Sequence, residues 1–516
     1  MAVTPQLTAS ATTVSTLSLD SRLTGEITNL NLAFTLASRV LSTDFLQIDL
    51  DVSSSNTAAP SLFTVPTGQT VSCSKVATAS STESALSSCE VTLSGVYISA
   101  VKVTGFCAPS GCSAGEAFSL ILKNVELPGI AQDISTQITV LTATSDTAHI
   151  GTGTLTTLVD IEPNVFLNPS IAHVAEGACA GQIYQICTLR FTLTTKNPFP
   201  SNGFLQISIP TSNTELSFLT IGGAAACTNP LLAGDASNLS CTLSAGTVTL
   251  QHSFTDSSVT DDKTISLDVT LLTLPTSTRP TAAFTIRTMS PSFEIDKIDT
   301  LTFTAVPGAL SSPVAARSAA KINVATEYKF SFLTTNPIDE RHKGSLPDAA
   351  KVAVELPSEA EADFISTTGC TVSRNGSVQS SISMIIDIGT NKLTISNICT
   401  AAAFCPAGTL FNITCPSTTI RNKQWKKLDL DASTDSIKMG LRTPDGLYWF
   451  DALTSSLYAT PELVPGDLTV VSLARGGDGN GQLVTLTTSV TPHYSSHIAT
   501  GNLMFNINAG IFLDPD

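Results

Sequence analysis

The chain offers few residues that could do chemistry together. It has 6 histidines in 516 residues, and His493 and His497 are spaced as a helical metal pair would be. They sit among Pro492, Tyr494, Ser495 and Ser496, a loop composition, so the spacing does not read as zinc. No G-x-S-x-G, H-E-x-x-H or P-loop pattern occurs, and no nucleophile, base and orienting group come together. No catalytic residue and no resident cofactor are expected. Cys107 and Cys112 lack the C-x-x-C partner or clustered histidine of a zinc site. Gly476 to Gly481, GGDGNG, has the look of a calcium loop, but Asp-Gly and Asn-Gly also suit a tight turn before a strand, and the turn is the expectation. Asp160, Glu162, Asp296 and Asp299 are the calcium candidates, although calcium takes six to eight oxygens and these acids supply only a few. Three N-glycosylation sequons begin at Asn238, Asn375 and Asn412. Asn375-Gly376 also reads as a hairpin turn. Asn412 and Thr414 alternate with Phe411, Ile413 and Cys415, so they should face outward.

The elements that must carry these residues are strands. Cys187 to Pro210 alternates with a period of two: Leu189, Phe191 and Leu193 on one side, Arg190, Thr192 and Thr194 on the other. Turn residues follow at Asn197-Pro198, Pro200 and Asn202-Gly203, and alternation resumes at Leu205, Ile207 and Ile209. The pattern recurs upstream at Leu32, Phe34, Leu36 and Phe45 to Ile48. It recurs downstream at Tyr328, Phe330, Phe332 and Val352, Val354, Leu356, and again at Val484, Leu486 and Leu503, Phe505, Ile507. The period of roughly 150 residues is that of whole domains. Residues 1–164, 165–306 and 307–465 are read as three immunoglobulin-like β-sandwiches in a beads-on-a-string array, and 466–516 as a partial fourth. Within each, turn signals every 8 to 12 residues and no helical periodicity indicate antiparallel sheets. The fourth lacks its later strands and leaves Leu503, Phe505, Ile507, Ile511 and Phe512 to be covered, so either the natural chain runs on or a neighbouring copy donates strands. The missing leader at Met1 favours a longer parent chain.

The 12 cysteines fall four to each of the first three repeats, the mark of disulfides in an oxidising compartment. Local pairing predicts Cys73–Cys89, Cys107–Cys112, Cys179–Cys187 and Cys227–Cys241. Cys399 and Cys405 match Cys107 and Cys112, which leaves Cys370 for Cys415.

Charged residues make up only 13% of the chain, about half the globular norm, and Ser and Thr fill the surface instead. Such a surface suits a protein that carries N- and O-linked glycans or packs into an assembly. A net charge of −16 disfavours nucleic acid, and the basic run Arg421 to Lys427 reads as a solvated strand edge. No apolar run is long enough for a membrane helix.

The order of alternating strand, NP turn, G-x-L-x-I-x-I-P strand, cysteine pair, Ile265 to Val269, Pro275 to Thr288 and Ile295-Asp296 resembles repeats in the very large surface proteins of ciliated protists. That resemblance implies tandem Ig-like extracellular repeats with a structural role and no catalytic residues to transfer. The expectation is a self-associating component of an extracellular filament, fibre or surface coat. A cell-surface adhesin or glycan-binding module is the alternative; aromatic platforms would favour it, yet aromatics are only 6% of the chain, and Trp425 and Trp449 both lie in the third repeat.

Overall fold

A computed structural model describes residues 10–50, 63–77, 83–86, 88–95, 97–131, 139–145, 148–154, 160–175, 177, 179–198, 200, 203–210, 220–221, 225–232, 239–245, 247–252, 263–339, 342, 348–367, 369–400, 403–427, 429–465, 468–476 and 485–492. Every helix or strand element in it is a strand. The strands form two five- or six-stranded sheets in each of the first three repeats.

Repeat two shows the plan. One sheet runs Leu167–His173, Ile186–Thr194, Thr264–Thr273, with Thr220–Ile221 and Cys227–Leu232 both on the last strand. The other runs Leu239–Ser244, Thr247–His252, Phe204–Ser208, Phe284–Ser290, Phe293–Leu301. The chain changes sheets between Ile186–Thr194 and Phe204–Ser208, and again between Thr264–Thr273 and Phe284–Ser290. These two crossings are those of an immunoglobulin-like sandwich. Repeats one and three cross at the corresponding places.

The alternation read in the sequence is the alternation of burial. Strand Ile186–Thr194 buries every second residue, and Leu189, Phe191 and Leu193 are fully buried. They meet Leu205, Ile207 and Ile286 of the facing sheet in one apolar core. Leu32, Phe34, Leu120 and Leu122 meet Leu46, Ile48, Val101 and Val103 in the same way in repeat one. Burying each such side chain contributes roughly 1.5–3 kcal/mol.

Two details differ from the expectation. The sheets are antiparallel except for a short parallel pairing at the start of each repeat: Ser10–Ala11 on Ala148–Thr154, Asn164 beside Asp296, and Gly308–Ala309 on Trp449–Ala452. The second is a strand at the end of repeat one that no sequence signal marked. The chain pairs Thr139–Ser145 with a further strand, Ala148–Thr154, a stretch that reads AHIGTGT and looked like Ser/Thr-rich surface. Its glycines are there for close approach: a Cβ on Gly153 would lie 2.0 Å from the Thr12 carbonyl oxygen.

In repeat four the structure describes one hairpin, Leu468–Gly476 with Thr485–Pro492. The Gly476 to Gly481 turn beyond its first residue, His493, His497 and the apolar residues from Leu503 to Phe512 lie outside the described residues, as does Asn238.

Candidate functional site: the joints between sandwiches

The polar side chains that the folds of the separate sandwiches do not need gather where one repeat meets the next. Strand Ile186–Thr194 runs between the two ends of its sandwich, with Tyr184 before it and Asn197 after it. Asn197 touches repeat one and Tyr184 touches repeat three, so the repeats stack end to end. The end facing the preceding repeat is the leading end here, and the other is the trailing end.

Each trailing end captures the linker to the following repeat as a short parallel bridge: Leu23 with Glu162, Gln182 with Val306, and Lys321 with Val464. Thr24, Ile183 and Ile322 each donate a backbone N–H to that linker residue, at 2.9, 2.9 and 3.1 Å. The linker residue donates back to Arg22, Gly181 and Ala320, at 2.7, 2.8 and 2.8 Å. The linkers are therefore strand-like and paired, which satisfies backbone groups that a free tether would leave to water.

The leading ends of repeats two and three carry a carboxylate clamp. Asp296 lies in strand Phe293–Leu301 with its carboxylate fully buried. One oxygen accepts the backbone N–H groups of Lys196 (3.1 Å) and Asn197 (3.3 Å), and the other accepts Asn197 Nδ2 (2.7 Å). In repeat three, Asp451 holds Thr335 N (2.8 Å), Asn336 N (3.0 Å) and Asn336 Nδ2 (2.7 Å) in the same arrangement. Both clamps fasten the loop that carries the Asn-Pro dipeptide. Burial pushes the Asp296 carboxyl above its ordinary range, while the hydrogen bonds from Asn197 and Lys196 oppose that rise.

Thr24 of repeat one inserts into the first clamp. Its hydroxyl donates to the Ile295 carbonyl (2.6 Å) and accepts from Asn164 N (3.0 Å) and Asn197 Nδ2 (2.9 Å). A second contact comes from Ala131, which donates to the Glu294 carbonyl at 2.8 Å. The joint between repeats two and three has the same two points of attachment with different side chains. The Tyr184 hydroxyl donates to the Pro337 carbonyl (3.0 Å) and bonds the imidazole of His342, which stands edge-on to Phe450 at 5.0 Å. At the second point, Thr278 exchanges two hydrogen bonds of 2.9 Å with Trp449, while Arg279 pairs with Asp445 and lies over the Tyr448 ring.

Of the calcium candidates, Asp296 lies at the joint before repeat two, and its oxygens are occupied by the clamp. Glu162 pairs with Arg22 at 3.3 Å, and the same guanidinium takes the Asp160 carbonyl. Asp299 lies 4.0 Å from Lys297. Among the described residues no three of His, Cys, Asp and Glu gather where they could hold a metal ion.

Six disulfides join Cys73–Cys89, Cys107–Cys112, Cys179–Cys187, Cys227–Cys241, Cys370–Cys415 and Cys399–Cys405. Of the sequons, Asn375 occupies a tight turn with φ 49°, followed by Gly376 at 83°, and its Oδ1 accepts from Leu410 N (2.8 Å). Asn412 sits on the outer face of strand Leu410–Cys415, between Ser331 and Ser373 on the neighbouring strands. Trp449 is engaged in the joint and stacks under Arg442 at 4.0 Å, and Trp425 is half exposed with its indole N–H on the Glu359 carbonyl. In the basic run Arg421 to Lys427, Lys423 pairs with Asp363, Lys426 with Glu462 and Lys427 with Asp435.

The joint residues Thr24, Tyr184, Thr278 and Arg279 escaped the sequence. Thr24 and Tyr184 fall in short segments just before a long strand, with no motif of their own. The available signal was their recurrence at the same place in each repeat.

No family model matches the chain, and no curated protein matches it in sequence. Among solved structures it is similar to the N-terminal domain of the Streptococcus gordonii adhesin Sgo0707, at 10% identity over 87% of this chain and 100% of that one, with a TM-score of 0.23. It is similar to the major pilin SpaA of Corynebacterium diphtheriae at 10% identity over 83% of this chain and 95% of that one, TM-score 0.23. For BcpA, the major pilin subunit of Bacillus cereus, the values are 11%, 77% and 93%, with a TM-score of 0.21. At these scores the likeness carries no weight for function, and the sandwich assignment rests on the sheets of this chain.

Proposed function

We propose that the chain is a structural component of an extracellular fibre or surface coat, in which disulfide-stapled sandwiches stack end to end and self-associate. The repeated linker capture at three successive trailing ends supports this reading most directly, because a protein that needs independent modules has no use for paired linkers. The six bridges fit an oxidising compartment, and a charge-poor surface suits one that is covered by neighbours or sugars. No catalysis is part of this role. Negative-stain imaging of native material tests it: long uniform filaments or a regular coat are expected, and dispersed single particles would defeat the proposal.

N-linked glycans complete the reading. Asn412 is flanked by two serines, which leave room on an otherwise flat sheet face, and its side chain is outward as its alternation requires. Peptide mapping of native protein after glycosidase treatment should find Asn412 converted to aspartate. An untreated, unmodified Asn412 peptide at full occupancy would remove this site.

A further inference from the structure

We infer that one backbone position per repeat, held in the left-handed region at the trailing end, sets which leading end can follow. The position is Gly25 in repeat one, Tyr184 in repeat two and Asn323 in repeat three, with φ of 68°, 63° and 56°. Each lies two residues after the residue that bridges the linker. Each donates its backbone N–H to one carbonyl of the neighbouring loop: Pro128 (3.1 Å), Pro275 (3.2 Å) and Lys423 (2.8 Å). The backbone is thus the same three times, and the side chain is what varies.

In repeat two the side chain reaches the next repeat. At Gly25 there is no room for one, since a Cβ would lie 1.7 Å from Asn197 Oδ1 of repeat two. Repeat two's leading end therefore accepts glycine at this position. Tyr184 reaches across the joint and ends on the Pro337 carbonyl, His342 and, behind it, Phe450. Glycine and asparagine tolerate positive φ, whereas tyrosine is strained there. The N–H bond to Pro275 is a backbone bond that any residue except proline could make, whereas the hydroxyl and the ring meet repeat three. The strain is compensated where the ring and hydroxyl act, on repeat three. Asn323 continues the pattern with a buried Oδ1 that has no hydrogen-bond partner. A buried acceptor without a donor is costly, and this one lies at the position that addresses the following repeat. The leading end that fits repeat three is accordingly a sandwich of this same kind offering an N–H or O–H donor, as Asn197 Nδ2 is offered to Thr24.

The test uses the full chain with non-cysteine spin labels on exposed positions of two repeats at a time, such as Thr242 and Ser377 across the second joint. Wild type should give one narrow distance distribution. Tyr184→Gly relieves the strain, so it should fold with all six bridges and an unchanged circular dichroism spectrum, yet broaden that distribution. Labels placed across the first joint should be unaffected. Gly25→Tyr should broaden the first joint and leave the second narrow. A narrow second-joint distribution in Tyr184→Gly would overturn the inference, whatever the outcome for Gly25→Tyr. Broadening of both joints by Tyr184→Gly would also overturn it, by showing general destabilisation in place of a local address.

Discussion

At the scale of single residues, the clamp acid and the Asn-Pro dipeptide occur together. Asp296 holds Asn197 and Asp451 holds Asn336. In repeat one the position aligned by the parallel bridge is Gly151, opposite Ser10, and there the loop reads Ser38-Arg39-Val40 with no Asn-Pro. A buried carboxylate is tolerable only where donors meet it, so it is present where the asparagine is and absent where it is not. Asp296→Ala should cost about 1–3 kcal/mol for each donor left dry, read by chemical denaturation. The pH dependence has a definite sign. The folded carboxyl lies above its ordinary value of 3.8 because of burial. Its contribution is therefore full below that ordinary value and is lost as pH rises through the raised folded one. Asp296→Asn cannot titrate, so the difference in stability between variant and wild type should change across that window. Parallel pH profiles would show that the burial is relieved by water. The acid itself stood out in the sequence as a calcium candidate. Its role was not, because the partners that occupy its oxygens lie about a hundred positions away along the chain, and sequence spacing alone suggested a cation.

At the scale of elements, the strands with clean alternation were readable, since one face of each meets the core and the other meets water. Ala148–Thr154 was not. It lies between Ser10–Ala11 and Thr139–Ser145, and Gly153 admits the neighbouring Thr12 backbone, so no apolar period marks it. The cysteine pairing was readable because the repeats could be laid over one another: Cys399 and Cys405 took the place of Cys107 and Cys112. The bridges differ in what they should contribute. Cys370–Cys415 closes a separation of 45 residues and Cys107–Cys112 one of 5. In the chain-entropy account these correspond to about 4 and about 2 kcal/mol. Replacing each pair by serine, one bridge at a time, should reproduce that order in denaturant midpoints. A larger loss from the short bridge would mean that residual structure in the unfolded chain, and not loop closure, governs the effect.

At the scale of the whole molecule, the sequence revealed how many sandwiches to expect and concealed how they are joined. A joint is built from a turn, a linker and a hairpin separated by more than a hundred residues, such as Thr24 with Ile295 or Thr278 with Trp449. None of these has a periodic signature. Leu23 to Gly25 and Gly181 to Tyr184, short segments with no motif of their own, form the contact surface. The consequence is mechanical. Paired linkers and two attachment points per joint restrict the bending that a free tether allows, so the three sandwiches are expected to behave as one stiff rod. Small-angle scattering of the full chain tests this most directly. A nine-residue strand such as Ile186–Thr194 spans roughly 30 Å, so three stacked sandwiches should give a maximum dimension of about 90 Å or more. The account predicts one elongated particle whose profile a single arrangement of the three sandwiches fits. A profile that requires an ensemble of inter-repeat orientations, or a particle no longer than two sandwiches, would contradict it.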